Sequence, residues 1–200
     1  SGVYAVMAHA GFFPVEWLDD YYLDGSRLGG HVTAHGIPGV ELSTGALGHA
    51  LPFGVGRAIT DQLDGIDRRV FVVLSDGECA EGSNWEAALM AAHRDLRNVT
   101  VIIDRNRLQI LGRTEDVLGL EPFVDKWRAF GWEVVEVDGH DHDALAEAMR
   151  TRSERPRAIV ANTIKGKGVD FMEDTVEWHT LVPNEEQLAI ALAQLEKTEA

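Results

Sequence analysis

With 200 residues, 45% of them hydrophobic, the chain has room for one well-buried α/β domain and is short for two. A formal net charge of −15 and a pI near 4.8 argue against nucleic acid or an anionic membrane as partner, since both polyanions would repel the chain. The single cysteine, Cys79, excludes an internal disulfide, and no segment has the apolar length of a bilayer span or the pattern of a secretory leader, so a cytoplasmic protein is expected.

VYAVMAHAGFF and PVEWLDDYYL carry apolar residues at helical spacing, and Pro14 suits a first helical turn, so two short helices are predicted. Asp24 to Gly45 is irregular and rich in glycine, and a loop this long inside a compact domain is functional or disordered. Its His31 and His35 are the side chains there suited to proton transfer near neutrality, although two solvated surface histidines would leave the same trace. LGHALPFGVGRAITDQLDG reads as a helix with small residues along one face, suited to close packing on a sheet or a partner.

The chain is organised around Val70 to Gln109. Two β-branched runs, VFVVL and VTVII, flank a helix, and each ends on polar groups: Asp76 in a Ser-Asp-Gly turn after the first, Asp104 and Asn106 after the second. If the strands are parallel neighbours, these groups meet at the sheet edge where open α/β sheets bind ligands. A carboxylate and a carboxamide there offer hard oxygens for Mg²⁺, and backbone N–H groups offer a phosphate cradle, so a magnesium diphosphate is the expected ligand. Taken singly, each residue is also ordinary turn and cap chemistry; the spacing of one crossover unit makes the pair specific.

Downstream, Arg113 to Leu120 has turn and capping character, EPFVDKWRAFG reads as a helix ended by Gly131, WEVVEVDG as a third strand and RAIVANT as a fourth. HDHDALAEAMRTRSE is a helix begun by acidic caps, so His140 and His142 fit a turn and N-cap better than a metal site. KGKGVDFMEDTVEWHTLVPN is a second irregular segment that brings Lys165, Lys167 and His179, and NEEQLAIALAQLEK closes the chain as a helix capped by Asn184. Strands interleaved with helices, without a hairpin signature, predict a parallel sheet with helices on both faces in a single domain over 1–200.

DGSRLGGH, PGVELSTGALGHAL, DGECAEGSNWEAA, DRNRLQILGRTEDV, LEPFVDKWRAFGWEVVEVDGHDH and IKGKGVDFMED followed by EWH are similar to the diphosphate-binding half of transketolases, and most so to split transketolases in which that half is a separate polypeptide. That resemblance covers nearly the whole chain and implies the thiamine-diphosphate-binding fold. It also implies that the domain continues for about sixty or more residues before VYAV, with a Ser-Asn-Gly-His-like motif among them.

The resemblance implies Mg²⁺, with Ca²⁺ or Mn²⁺ able to substitute, held by Asp76, Asn106 and the Leu108 carbonyl. It implies thiamine diphosphate near Gly45, Leu47, Ser75, Asp76, Gly77, Glu78, Asn106, Leu108, Gln109, Lys165 and His179. His31 would face the substrate, His179 the diphosphate, and Glu81 and Glu86 an interface joining two cofactor sites. The implied activity is transfer of a two-carbon ketol unit from a ketose to an aldose, sugar or sugar phosphate. It would need a second subunit with pyrimidine-binding and C-terminal domains, as two copies of each chain. Ser75 replaces a motif glycine, Arg107 stands where split transketolases often have glycine, and Thr180 to Val182 replace a common Gly-Lys pair. These departures leave open a specialised two-carbon transfer, onto a carrier-bound acceptor for instance, or a non-catalytic module that keeps the fold; decarboxylation of a 2-oxo acid is a further alternative.

Overall fold

A computed structural model describes residues 2–198 as two compact units that divide between His49 and Ala50. In the first, helix α1 (Gly2–His9) is followed by a 3-10 turn, Val15–Asp20. Pro14 lies just ahead of that turn, and with no capping side chain the predicted second helix tightens to 3-10 geometry. Tyr4, Ala8, Phe13, Leu28 and Ile37 form its core. The Tyr4 hydroxyl donates to the His31 carbonyl at 3.1 Å and accepts from the Thr33 N–H at 3.2 Å, so the long loop is pinned rather than free.

The second unit begins with α2 (Ala50–Leu63), then β1 (Val70–Ser75), α3 (Gly82–His93) and β2 (Val99–Arg105). A two-residue ribbon, β3 (Leu108–Gln109) and β4 (Gly112–Arg113), precedes α4 (Thr114–Val117) and α5 (Phe123–Ala129). Then come β5 (Glu133–Asp138), α6 (His142–Arg150), β6 (Arg157–Asn162) and α7 (Glu185–Thr198). The sheet has the order β1-β2-β6-β5, with every pair parallel. The antiparallel β3–β4 ribbon was not expected; it lacks the Asn-Gly chemistry that marks hairpins in sequence.

One face of the sheet carries Val72, Leu74, Val99, Val101, Ile103, Ala158 and Val160, packed with α2, α3 and α5. The small-residue face of α2 is explained at Gly54, where a Cβ would lie 2.5 Å from a Val72 methyl; any side chain there would push the helix off β1. Trp127 is fully buried against Trp132 and Trp85, at ring separations of 5.1 Å each. A core aromatic of this kind stabilises by roughly 1.5–3 kcal/mol through burial. On the opposite face α6 lies over β5 and β6, whereas Phe71 and Val73 of β1 remain 44% and 69% exposed.

The caps read from sequence are in place. Asp141 Oδ1 accepts from the Ala144 N–H at 2.9 Å, and Asn184 and Gln187 exchange side-chain and backbone hydrogen bonds at 2.9 and 3.0 Å. His140 Nε2 accepts from the Ile164 N–H at 2.8 Å, which makes it a loop clamp.

Candidate active site

Because β1 and β2 are parallel and in register from Val70 against Val99 to Ser75 against Asp104, both strands end at the same edge. Asp76 follows β1 directly and is fully buried. Its Oδ1 accepts from the Gly77 N–H at 2.7 Å, and its Oδ2 accepts from the Arg107 N–H at 2.6 Å and from Arg105 Nη1 at 3.1 Å. The loop after β2 therefore closes onto Asp76, as the spacing of the two motifs predicts. Asn106 Oδ1 accepts from the Leu108 N–H at 2.9 Å, which turns the chain so that Gln109 packs against Gly77. A Cβ on Gly77 would stand 3.1 Å from the Gln109 side chain, so this close approach favours glycine.

Arg107 holds φ at +65°, a left-handed backbone in which glycine is at ease and arginine is not. Its N–H contact to Asp76 and a 2.8 Å bond from Nη2 to Asn162 Oδ1 oppose that cost.

Arg105 escaped the sequence reading. It continues the inward face of β2 after Val99, Val101 and Ile103, and its side chain is 2% exposed. One guanidinium serves Asp76, Glu115 at 3.1 Å, Glu121 at 2.8 Å and the Thr114 hydroxyl at 3.0 Å. The available signal was a charge at a position where the period-two pattern called for an apolar residue. Asn84 and Trp85 have roles that the motif alone does not show. They donate to the Glu78 carbonyl at 2.8 Å and the Cys79 carbonyl at 2.9 Å, and so hold the 3-10 turn Gly77–Ala80 beside Asp76.

Ser75 Oγ accepts from the Glu78 N–H at 3.0 Å, so the serine in place of the motif glycine caps that turn. Cys79 is buried, and burial first, then the nearby carboxylates, push its thiol far up, which fits an inert filler. Glu78 is buried, whereas Glu81 and Glu86 are exposed at and along α3. Lys165 is half-buried; its carbonyl accepts from the Asp174 N–H, and Asp174 in turn pairs with Arg113 at 2.7 Å. Burial and the Lys165 charge both lower the pKa of His179, which keeps the imidazole neutral near pH 7. In the first unit, His31 and Gly45 come together: Gly45 has φ +119°, and a Cβ on it would lie 2.3 Å from the His31 ring. Leu47 is exposed, with its carbonyl 3.0 Å from His49 Nδ1.

Burial raises the pKa of Asp76 despite the opposing N–H groups and Arg105. One guanidinium among Asp76, Glu115 and Glu121 leaves a local excess of negative charge, which a divalent cation fits. Among the described residues no three His, Cys, Asp or Glu side chains form a metal cage. A carboxylate, an amide and a carbonyl match instead the part-protein coordination of Mg²⁺, which takes its remaining oxygens from phosphate and water.

The arginine network carries a pH signature. The Phe123 N–H, then Arg105, hold Glu121 below its ordinary 4.5; for Glu115 burial acts upward but is outweighed by the N–H groups of Leu120 and Glu121 and by Arg105. A carboxyl lowered on folding adds stability that is complete above its unfolded pKa and is lost as pH falls through the folded one. The contribution of these two carboxyls is therefore complete above about pH 4.5 and is lost below it, so the acid-side fall of Tm is expected to be shallower in Glu121→Gln. Asp76, raised rather than lowered, acts with the opposite sign, so the variant isolates Glu121. An unchanged acid slope in Glu121→Gln, measured by scanning calorimetry, refutes the assignment.

Residues 2–195 match the family profile described as transketolase, thiamine diphosphate binding domain. The chain is 44% identical over 197 residues to one subunit of the apulose-4-phosphate transketolase of Actinobacillus succinogenes, covering 98% of this chain and 71% of that one. It is 38% identical over 198 residues to a 6-deoxy-6-sulfo-D-fructose transketolase subunit of a Clostridium species, covering 98% of this chain and 72% of that protein. The crystal structure of transketolase from Campylobacter jejuni superposes with a TM-score of 0.83 at 29% identity, over 90% of this chain and 30% of that one. The chain thus spans about a third of the solved transketolases it matches.

Proposed function

The chain belongs to the transketolase family of thiamine diphosphate-binding domains, and from that premise we propose that it is the diphosphate-binding subunit of a split, Mg²⁺-dependent enzyme that transfers a two-carbon ketol unit from a ketose to an aldose. The observation that carries this reading is the closure of the Asn106–Leu108 loop onto buried Asp76 at the carboxyl edge of parallel β1 and β2.

Asp76, Asn106 and the Leu108 carbonyl are assigned to the metal, with Ca²⁺ or Mn²⁺ as substitutes. Gly77 and Gln109, with Ser75 and Glu78, are assigned to the diphosphate end, a reading supported by the close Gly77–Gln109 approach and the Ser75 cap on the Glu78 N–H. Lys165 contributes charge toward the phosphates, and neutral His179 a hydrogen bond. Gly45 and Leu47 are assigned to the aminopyrimidine, and His31 to the substrate. Thiamine diphosphate supplies the carbonyl-addition and electron-sink chemistry when bound. The residues of this chain bind the anion, orient it and hold protons at imidazole nitrogens.

Relatives named for apulose 4-phosphate and for 6-deoxy-6-sulfofructose support a ketose with an anionic tail as donor. Those same relatives are named as single subunits of transketolases, which supports a second polypeptide. That polypeptide is assigned the pyrimidine-binding and C-terminal domains, and the assembly is assigned two copies of each chain in the cytoplasm. Among the described residues no helix is long and apolar enough to cross a membrane. A screen of ketose donors and aldose acceptors with the reconstituted pair tests the reaction. Transfer from a phosphorylated or sulfonated ketose is expected, and exclusive turnover of pyruvate overturns the ketol assignment.

A further inference from the structure

At the opposite edge of the sheet, before the amino ends of β1, β2 and β6, lies a cavity of about 300 Å³. Arg69, Arg97, Arg152 and Arg157 line it, facing just two carboxylates among the lining residues, Asp67 and Glu154. This concentration of guanidinium groups stands out in a chain whose formal charge is −15, where a random patch is acidic.

The wall is built rather than superficial. Arg157 is 4% exposed and held by the Ala148 carbonyl at 2.9 Å, the Thr151 carbonyl at 2.8 Å and Glu133 at 2.5 Å. Its Nε is buried with no hydrogen-bond partner among the described residues. Thr100, 5% exposed and opposite Arg157 in the β2–β6 register, stands beside it. A buried guanidinium N–H without an acceptor is costly, so a small shift of the Arg157 side chain that brings Nε to an acceptor in the cavity is favoured.

Arg97 and Arg152 at the rim pair with Glu154 at 2.6 Å and Asp67 at 3.0 Å, but all four side chains are more than half exposed. Exposed pairs of this kind are weak and exchange readily for a better anion. The planar fork of arginine matches a tetrahedral oxyanion, and the cavity is too small for a folded partner.

We propose that this cavity is a second anion site that takes a phosphate dianion, as free inorganic phosphate or as the phosphate group of a small metabolite. β2 separates it from the Asp76 edge by roughly 20 Å, so the site acts on the fold and not on the chemistry directly. An anion held there ties the starts of β1, β2 and β6 to the end of α6, and stabilises the chain by mass action.

The test is calorimetric titration of the 200-residue chain, at fixed ionic strength, with inorganic phosphate and separately with glycerol 3-phosphate, which has no carbonyl for ketol transfer. Binding is expected below about 10 mM. Arg97→Gln with Arg152→Gln should weaken it about tenfold or more, as should Thr100→Val to a smaller degree. Arg128→Gln, an exposed arginine on α5 paired with Asp125, should leave it unchanged. Phosphate binding as tight as that of glycerol 3-phosphate, or tighter, assigns free phosphate, and tighter glycerol 3-phosphate assigns a phosphorylated metabolite. Absence of binding by both, or equal loss in Arg128→Gln and the double variant, overturns the proposal. Neither readout depends on ketol transfer, so its failure leaves the Asp76 site untouched.

Discussion

Replacing Asp76 will remove cofactor binding: calorimetric titration with thiamine diphosphate and Mg²⁺ is expected to show affinity reduced roughly a hundredfold or more, and ketol transfer by the assembled enzyme to disappear with it. Asp76→Ala alone is a poor test. Arg105 is buried, and losing one of its partners costs about 1–3 kcal/mol even though Glu115 and Glu121 remain. Asp76→Asn is the better variant, because an amide oxygen still accepts from the Arg107 N–H and from Arg105, at the cost of the Gly77 N–H bond, while the metal loses its carboxylate. Circular dichroism should show Asp76→Asn folded. A folded Asp76→Asn chain with undiminished affinity for both thiamine diphosphate and Mg²⁺ would falsify the assignment of the site.

The second large effect concerns assembly. Purified by itself, the chain is expected to show ketol transfer about a thousandfold or more below that of the reconstituted pair. Generating the reactive form of thiamine needs a carboxylate placed beside the aminopyrimidine, and the family resemblance puts that glutamate in a separate pyrimidine-binding domain. The family resemblance puts Glu81 and Glu86 at an interface instead; Glu81 directly precedes α3, Glu86 lies along it, and both are exposed. A site closed between subunits would also exclude water. Mixing with a candidate second polypeptide should restore activity and give a mass of two copies of each chain by light scattering. Full activity from this chain alone would overturn the requirement for a partner.

Much of this was legible in the residues themselves. Strand periodicity in VFVVL, VTVII, WEVVEV and RAIVAN marked four strands, and alternation with helices made them parallel, because a short connection cannot join parallel neighbours. Asp141, Asn184 and Gly131 marked helix ends, since caps are local hydrogen-bond and φ requirements. Asp76 and Asn106, about thirty residues apart across one crossover, located the edge where the loop after β2 closes onto Asp76.

Only the tertiary structure decided what surrounds them. Arg105 looks like part of a polar turn in sequence, yet β2 runs on through it and its side chain follows the core face to three carboxylates far apart in the chain. Arg107 acts through its backbone N–H, a group that every residue but proline shares and that no side-chain pattern reveals. The arginine cavity draws on residues from Asp67 to Arg157 and exists only because three strands begin side by side. Local periodicity and capping depend on neighbours in the chain, whereas charge pairing and cavities depend on which distant residues the sheet register brings together.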